Sequence, residues 1–206
     1  MNERAKRQKQ DCPPPGVYQG VPFAEYCKWD ALNPSLVKIA RTSLRAFRDA
    51  ELHDDDNDTA ALALGRAVHC SVLEPDEFPR RYVVWTGGVR RGKEWDAFCD
   101  ANEGKSIVNE AEYAQCLAMR DSVRKHPAAS ALFTVPAKIE TCIVWVDPSS
   151  GLTCKGRFDY LGLRLLDLKT TARLDERSII QQVCNYGYHI SMAAYHDGLY
   201  RVTQRV

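Results

Sequence analysis

The stretch Lys155 to Thr171, reading KGRFDYLGLRLLDLKTT, constrains this chain more than any other. It reads as a β-hairpin: a run from about Leu152 to Leu161, a short turn at Gly162-Leu163-Arg164, and a second run from Leu165 to Thr170. Side chains alternate across a strand, so Asp167 and Lys169 belong to one face while Leu166 and Leu168 meet an apolar layer behind it. The hairpin returns Asp159 to the same end of that face. Two carboxylates and one ammonium, eight and ten residues apart, then converge, which is the set a divalent cation with an adjacent lysine requires. Another acidic-x-Lys triplet, Glu103-Gly104-Lys105, lies in a stretch that reads as loop, so strand context and the upstream Asp159 give the first its meaning. The plain alternative is a weakly stabilising Asp–Lys pair on an edge strand.

At 206 residues, 45% hydrophobic and 27% charged, the chain suits a globular fold with a sizeable core. A net charge of +1 excludes binding to nucleic acid by bulk positive charge, so any contact with phosphates is local. No apolar run approaches the span of a bilayer, and the opening MNERAKRQKQ is charged rather than a signal sequence, which leads to the cytoplasm and no membrane partner. The eight cysteines include no C-x-x-C pair, and they read as reduced, part-buried small hydrophobes.

Residues 1–32 read as a flexible, basic and proline-rich arm with its lead-in, and 33–206 as a single domain. Asn33-Pro34-Ser35 opens a helix from Leu36 to about Arg48. Thr59 caps a helix running to about Glu74, stopped by Pro75 and carrying His69. Gly87-Gly88-Val89-Arg90-Arg91-Gly92-Lys93 is a glycine-flanked basic loop whose Arg90, Arg91 and Lys93 suit a phosphate backbone. Glu110 to Lys125 is an amphipathic helix, Lys138 to Val146 a strand, and Asp147-Pro148-Ser149-Ser150-Gly151 a turn, giving three consecutive antiparallel strands with the hairpin. Glu140, at a strand start, is assigned equally to the metal face and to the surface. Helices from Asp175 to about Cys184 and from His189 to about Val206 complete an α+β fold, helices packed on a mainly antiparallel sheet.

The pattern D-x7-D-x-K in Asp159, Asp167 and Lys169 resembles the signature of the PD-(D/E)xK nuclease superfamily. The wider sequence resembles its RecE (exonuclease VIII) branch and lambda exonuclease, phage or prophage 5′–3′ exodeoxyribonucleases. The matching parts are Gly65-Arg66-Ala67-Val68-His69, Leu73-Glu74-Pro75-Asp76-Glu77-Phe78, Lys155-Gly156-Arg157-Phe158-Asp159 and Asn185-Tyr186-Gly187-Tyr188-His189, in the family's order. Two positions depart from it: Phe158 stands where the superfamily name has Pro, and Ser191-x-x-x-Tyr195 where many relatives carry Gln-x-x-x-Tyr.

The resemblance implies a restriction-endonuclease-like core of helix, three strands, helix and strand, and leads to the expectation that this chain stops before the last strand, either as a C-terminally truncated domain or because the family's final elements are absent. It implies one or two Mg2+ or Mn2+ ions held by Asp159, Asp167, the Leu168 carbonyl and His69. Glu74 is the lesser ligand, since it lies roughly 140° around the helix from His69. Lys169 acts on the attacking water, and Ser191 and Tyr195 meet substrate. Iron–sulfur members carry one early and three late cysteines, whereas only Cys184 follows the hairpin here, so no cluster is expected. Implied partners are double-stranded DNA ends, further copies in a ring-shaped homo-oligomer, and a single-strand annealing protein. The rival functions are an endonuclease or structure-specific nuclease, and a non-catalytic DNA-binding module.

Overall fold

The structure, a computed structural model, describes residues 9–53, 59–133, 135–162 and 164–204. The basic residues 1–8 and Leu163, the centre of the expected hairpin turn, lie outside the described residues. In chain order the elements are β1 (Gly16–Tyr18), α1 (Phe23–Lys28), α2 (Pro34–Thr42), α3 (Leu44–Leu52), α4 (Ala60–Leu73), α5 (Phe78–Arg81), β2 (Tyr82–Trp85), α6 (Lys93–Ala101), β3 (Ser106–Asn109), α7 (Glu110–Lys125), α8 (Pro127–Leu132), β4 (Lys138–Val146), β5 (Thr153–Leu161), β6 (Leu165–Leu166), α9 (Glu176–Asn185) and α10 (Tyr188–Thr203).

Helix starts follow the side-chain chemistry of the sequence. The Asn33 side chain accepts from the Leu36 amide at 2.9 Å, and Thr59 from Leu62 at 3.2 Å. At α7 the cap is reciprocal: Asn109 accepts from the Glu112 amide and Glu112 from the Asn109 amide, both at 2.8 Å. The single helix expected from Leu36 to Arg48 is instead two. Ser43 leaves the helical conformation and ends α2, and its Oγ accepts from the Ala46 amide at 3.2 Å to start α3.

Where the sequence leads to one domain over 33–206, the described residues form two compact units. The first draws on Met1–Asn57, Ala137–Asp167 and Thr171–Val206, and the second on Asp58–Pro136 with Leu168–Thr170.

The first unit is an antiparallel four-stranded sheet of order β1-β4-β5-β6 with helices, the α+β arrangement expected. On one side Tyr26 and Trp29 cover Cys142 and Val144; on the other Tyr195, Leu199 and Val202 of α10 cover Ile143, Trp145 and Phe158. A Cβ at Gly198 would come within 2.6 Å of the Trp145 ring, so the missing side chain lets α10 lie close on the sheet. Two expectations are corrected. The lead-in is no flexible arm over its described length: β1 adds an edge strand to β4, and Tyr26 and Trp29 are buried, because these aromatic rings have an apolar face of β4 to cover. The second strand of the hairpin ends at Leu166 rather than Thr170, since one more pair would set Asp167 directly beside Asp159.

In the second unit α4 packs on α7, and Phe78 stacks between Tyr82 and Tyr113 with ring centroids 5.0 Å from each. Ala67, Val68, Val72, Leu73 and Cys116 are buried there, and the buried Ser71 hydroxyl donates to Val68 O at 2.9 Å. β2 and β3 pair in parallel. Among the described residues no helix is long and apolar enough to cross a membrane.

Candidate functional site

The register of the sheet assembles the site. β4 and β5 pair at Lys138↔Leu161 and Ile139↔Tyr160, pass over Glu140 and Asp159, and resume from Thr141↔Phe158 to Val146↔Thr153. Continued through the gap, that register sets Glu140 opposite Asp159. β5 and β6 pair at Leu161↔Leu165 and Tyr160↔Leu166, and β6 ends there, so Asp167 follows directly at the Asp159 end of the ladder without pairing. Three acidic residues thus gather about one row, at the rung where the ladder opens.

Like charges facing each other across a sheet are destabilising, and the backbone departs from strand geometry at this row. Glu140 has φ 50, in the left-handed region, which costs roughly 1–3 kcal/mol for a residue with a Cβ. One carboxylate oxygen of Glu140 lies within 4.8 Å of one of Asp159. The Arg157 Nε donates to Glu140 Oε2 at 2.7 Å. Burial alone would weaken the charge on Arg157, and the hydrogen bond and charge of Glu140 more than reverse this, so its guanidinium is held above its ordinary range.

Tyr195 of α10 reports on the same row. Burial first, and then the charges of Asp167, Asp159 and Glu140, push its phenol well above the ordinary 10.0, so its hydroxyl stays protonated at neutral pH. The Tyr195 ring packs edge-on against Phe158 at 5.7 Å, and a Cβ at Gly156 would lie 2.9 Å from it. Only glycine at 156 leaves that ring its place. Ser191, one turn earlier, is buried.

The second unit holds the other residues singled out from the sequence. His69 is half-buried on α4. Glu74 ends that helix, and its two carboxylate oxygens accept from Nη1 and Nη2 of Arg81, both at 2.9 Å, a fork that occupies it as an ion-pair partner. Lys169 is exposed in the segment after Asp167, its Nζ donating to the Leu168 carbonyl at 3.2 Å. In the glycine-flanked loop Arg91 and Lys93 are exposed, whereas Arg90 lies over the Trp95 ring and donates to Glu112 at 3.2 Å.

Of the sequence-derived set, the first unit brings Asp159, Asp167 and Tyr195 together and adds Glu140. Glu140 could have been found by reflecting the chain about the Asp147–Gly151 turn, which sets it opposite Asp159. Closely spaced carboxylates suit a hard divalent cation, so Glu140 and Asp159 fit Mg2+ or Mn2+. Over residues 35–205 the sequence matches the family described as a PDDEXK-like domain of unknown function (DUF3799), a span that runs through both units. No curated protein matches the chain.

Proposed function

We propose, since the chain belongs to the family of PDDEXK-like domains (DUF3799), that it is a metal-dependent deoxyribonuclease degrading the 5′ strand of linear duplex DNA in cytoplasmic recombination or repair. The row Glu140, Asp159 and Asp167 carries this reading, because gathering three carboxylates at a distorted rung costs stability unless a cation is to be held there. Asp159 and Asp167 would hold one or two Mg2+ or Mn2+ ions and Glu140 would add an oxygen, while the family resemblance further assigns the Leu168 carbonyl and His69 as ligands. Glu74, occupied by Arg81, is left out of the set. When bound, the cation supplies charge stabilisation at the scissile phosphate and acidifies coordinated water.

The remaining steps belong to the chain's own side chains. Lys169 positions the attacking water as an ammonium or, as a neutral amine, takes its proton. Tyr195, held protonated, donates a hydrogen bond at the edge of the row, with buried Ser191 behind it. Arg91 and Lys93 meet the DNA backbone from the exposed loop, and Arg90 joins them only by exchanging Glu112 for a phosphate. Further copies of the chain form a ring around the duplex, and a single-strand annealing protein takes up the product strand.

The test is digestion of linear and closed-circular duplex DNA with Mg2+, comparing 5′-phosphate with 5′-hydroxyl ends, with EDTA and Lys169→Ala as controls. Loss of linear substrate alone, abolished by both controls, is the expected result. Cutting of circles would make it an endonuclease. Binding without cutting in either metal would make it a non-catalytic DNA-binding module.

A further inference from the structure

Arg157 touches both the carboxylate row and the segment that precedes α2. Its Nε donates to Glu140 Oε2 at 2.7 Å, its Nη1 donates to the Val21 carbonyl at 2.7 Å and reaches Cys142 Sγ at 3.4 Å, and its guanidinium lies 5.7 Å over the Phe23 ring. A planar fork with donors on two sides is needed to span such partners, and lysine cannot present it. The neighbouring turn of chain is fixed independently: Lys155 Nζ donates to the carbonyls of Tyr26, Cys27 and Trp29. Val21, Phe23 and these carbonyls all precede residue 35, where the family match begins.

We propose that Arg157 is a positioning residue for the metal site: anchored on Val21 and Phe23, it holds Glu140 beside Asp159 in the orientation a cation needs. This rests on the reading of the row as a divalent-cation site. Glu140 has reason to leave without it. Its backbone is left-handed, and its carboxylate lies within 4.8 Å of a second negative charge, so the cation-free row is mutually repulsive. The guanidinium offsets that repulsion and restricts the side chain, so that a cation arrives at ligands already gathered. Partners that orient a metal ligand in this way change metal affinity by about 10- to 100-fold when removed. The described part of the lead-in then has a role in the chemistry as well as in covering the sheet.

The test is the Mn2+ affinity of the full-length protein without DNA, read from the paramagnetic resonance signal of free Mn2+. The variants are Arg157→Gln, Arg157→Lys, Glu140→Gln and the Arg157→Gln/Glu140→Gln pair, each melted thermally to establish folding. Arg157→Gln is expected to weaken Mn2+ binding about 10- to 100-fold. Arg157→Lys recovers part of that loss by restoring charge without the fork. In the Glu140→Gln background, removing Arg157 changes nothing further, because its effect passes through Glu140.

Wild-type affinity in Arg157→Gln, or losses that add in full in the double variant, would make Arg157 a structural residue and overturn the proposal. If Arg157→Gln does not fold, the lysine variant carries the test, and wild-type affinity there is equally fatal. A wild-type chain that takes up no Mn2+ overturns both the cation site and this role for Arg157. A chain that binds Mn2+ through Arg157 and Glu140 but cuts no DNA overturns the nuclease reading alone.

Discussion

The two ends of the β4–β5 hairpin place charged groups in opposite circumstances. At the Val144↔Lys155 rung the ladder is unbroken and the ammonium, 2% exposed, donates to the carbonyls of Tyr26, Cys27 and Trp29 at 2.8, 3.2 and 2.7 Å. Three acceptors match the three N–H bonds of a lysine, and the Tyr26 ring lies 4.8 Å from the nitrogen. Four residues along β5 the ladder passes over Glu140 and Asp159, and like charges face each other on a left-handed backbone. A buried charge with a filled hydrogen-bond shell ties segments of chain together. Carboxylates gathered against their own repulsion weaken the fold locally.

The comparison predicts that the two ends fail differently. Asp159→Asn is expected to lower DNA cleavage by about 10³-fold, and Lys169→Ala by about 10²- to 10⁴-fold, while urea unfolding of Asp159→Asn stays within about 1 kcal/mol of wild type. Unfolding of Asp159→Asn would mean that the row builds the fold and would remove the contrast. Lys155→Ala should do the converse. It removes the donor that the carbonyls of Tyr26, Cys27 and Trp29 share, of which Tyr26 and Trp29 keep a backbone N–H, and costs about 2 kcal/mol in urea unfolding, with cleavage per folded molecule retained. A Lys155→Ala protein as stable as wild type would sink the account of the packed end.

Much of this contrast is legible in the sequence. Short turns fix register, so the runs pair at Leu161↔Leu165 and Tyr160↔Leu166 and bring Asp167 to the Asp159 end of the ladder. The helix α7 follows from apolar periodicity, and α4 from the Thr59 cap and the Pro75 stop. What escaped depends on partners distant in sequence. Nothing local marks Gly16–Tyr18 as a strand, since its pairing partners lie about β4, more than a hundred residues on. Arg157 and Lys155 look like surface cations until the chain at 21–29 arrives to receive them. Glu140 has an ordinary strand context, and its left-handed backbone belongs to no sequence pattern. Arg90 read as a phosphate contact because Glu112, which occupies it, lies 22 residues away.

Smaller changes probe the boundary between the two ends. Gly156→Ala puts a methyl group about 2.9 Å from the Tyr195 ring, an overpacking expected to cost about 2 kcal/mol by urea unfolding. No loss would mean that α10 adjusts freely over the sheet. At Glu140 the informative experiment compares two truncations. Alanine and glycine both remove the carboxylate and the Arg157 pair, but only glycine relieves the left-handed backbone, so Glu140→Gly should be more stable than Glu140→Ala by about 1 kcal/mol. The reverse order would show that residue 140 relaxes into an ordinary strand once its side chain is gone.

The smallest effect, absent at neutral pH, concerns the side chain that joins the two ends. The Tyr195 ring belongs to the packed layer against Gly156 and Phe158, while its hydroxyl senses Asp167, Asp159 and Glu140. Its folded-state pKa is raised above the unfolded value near 10, by burial first and then by those charges. The protonated hydroxyl is therefore favoured by folding. Its contribution is complete below about pH 10 and is lost as pH rises above that value towards the folded pKa. Tyr26 and Tyr82 are raised as well and add to the alkaline loss in any variant that retains them, so the difference between wild type and Tyr195→Phe isolates this phenol. Wild type should lose stability more steeply than Tyr195→Phe above pH 10, and Asp167→Asn should lessen that difference by removing one of the charges Tyr195 senses. Parallel alkaline curves would mean that the hydroxyl does not feel the row, and would confine Tyr195 to packing.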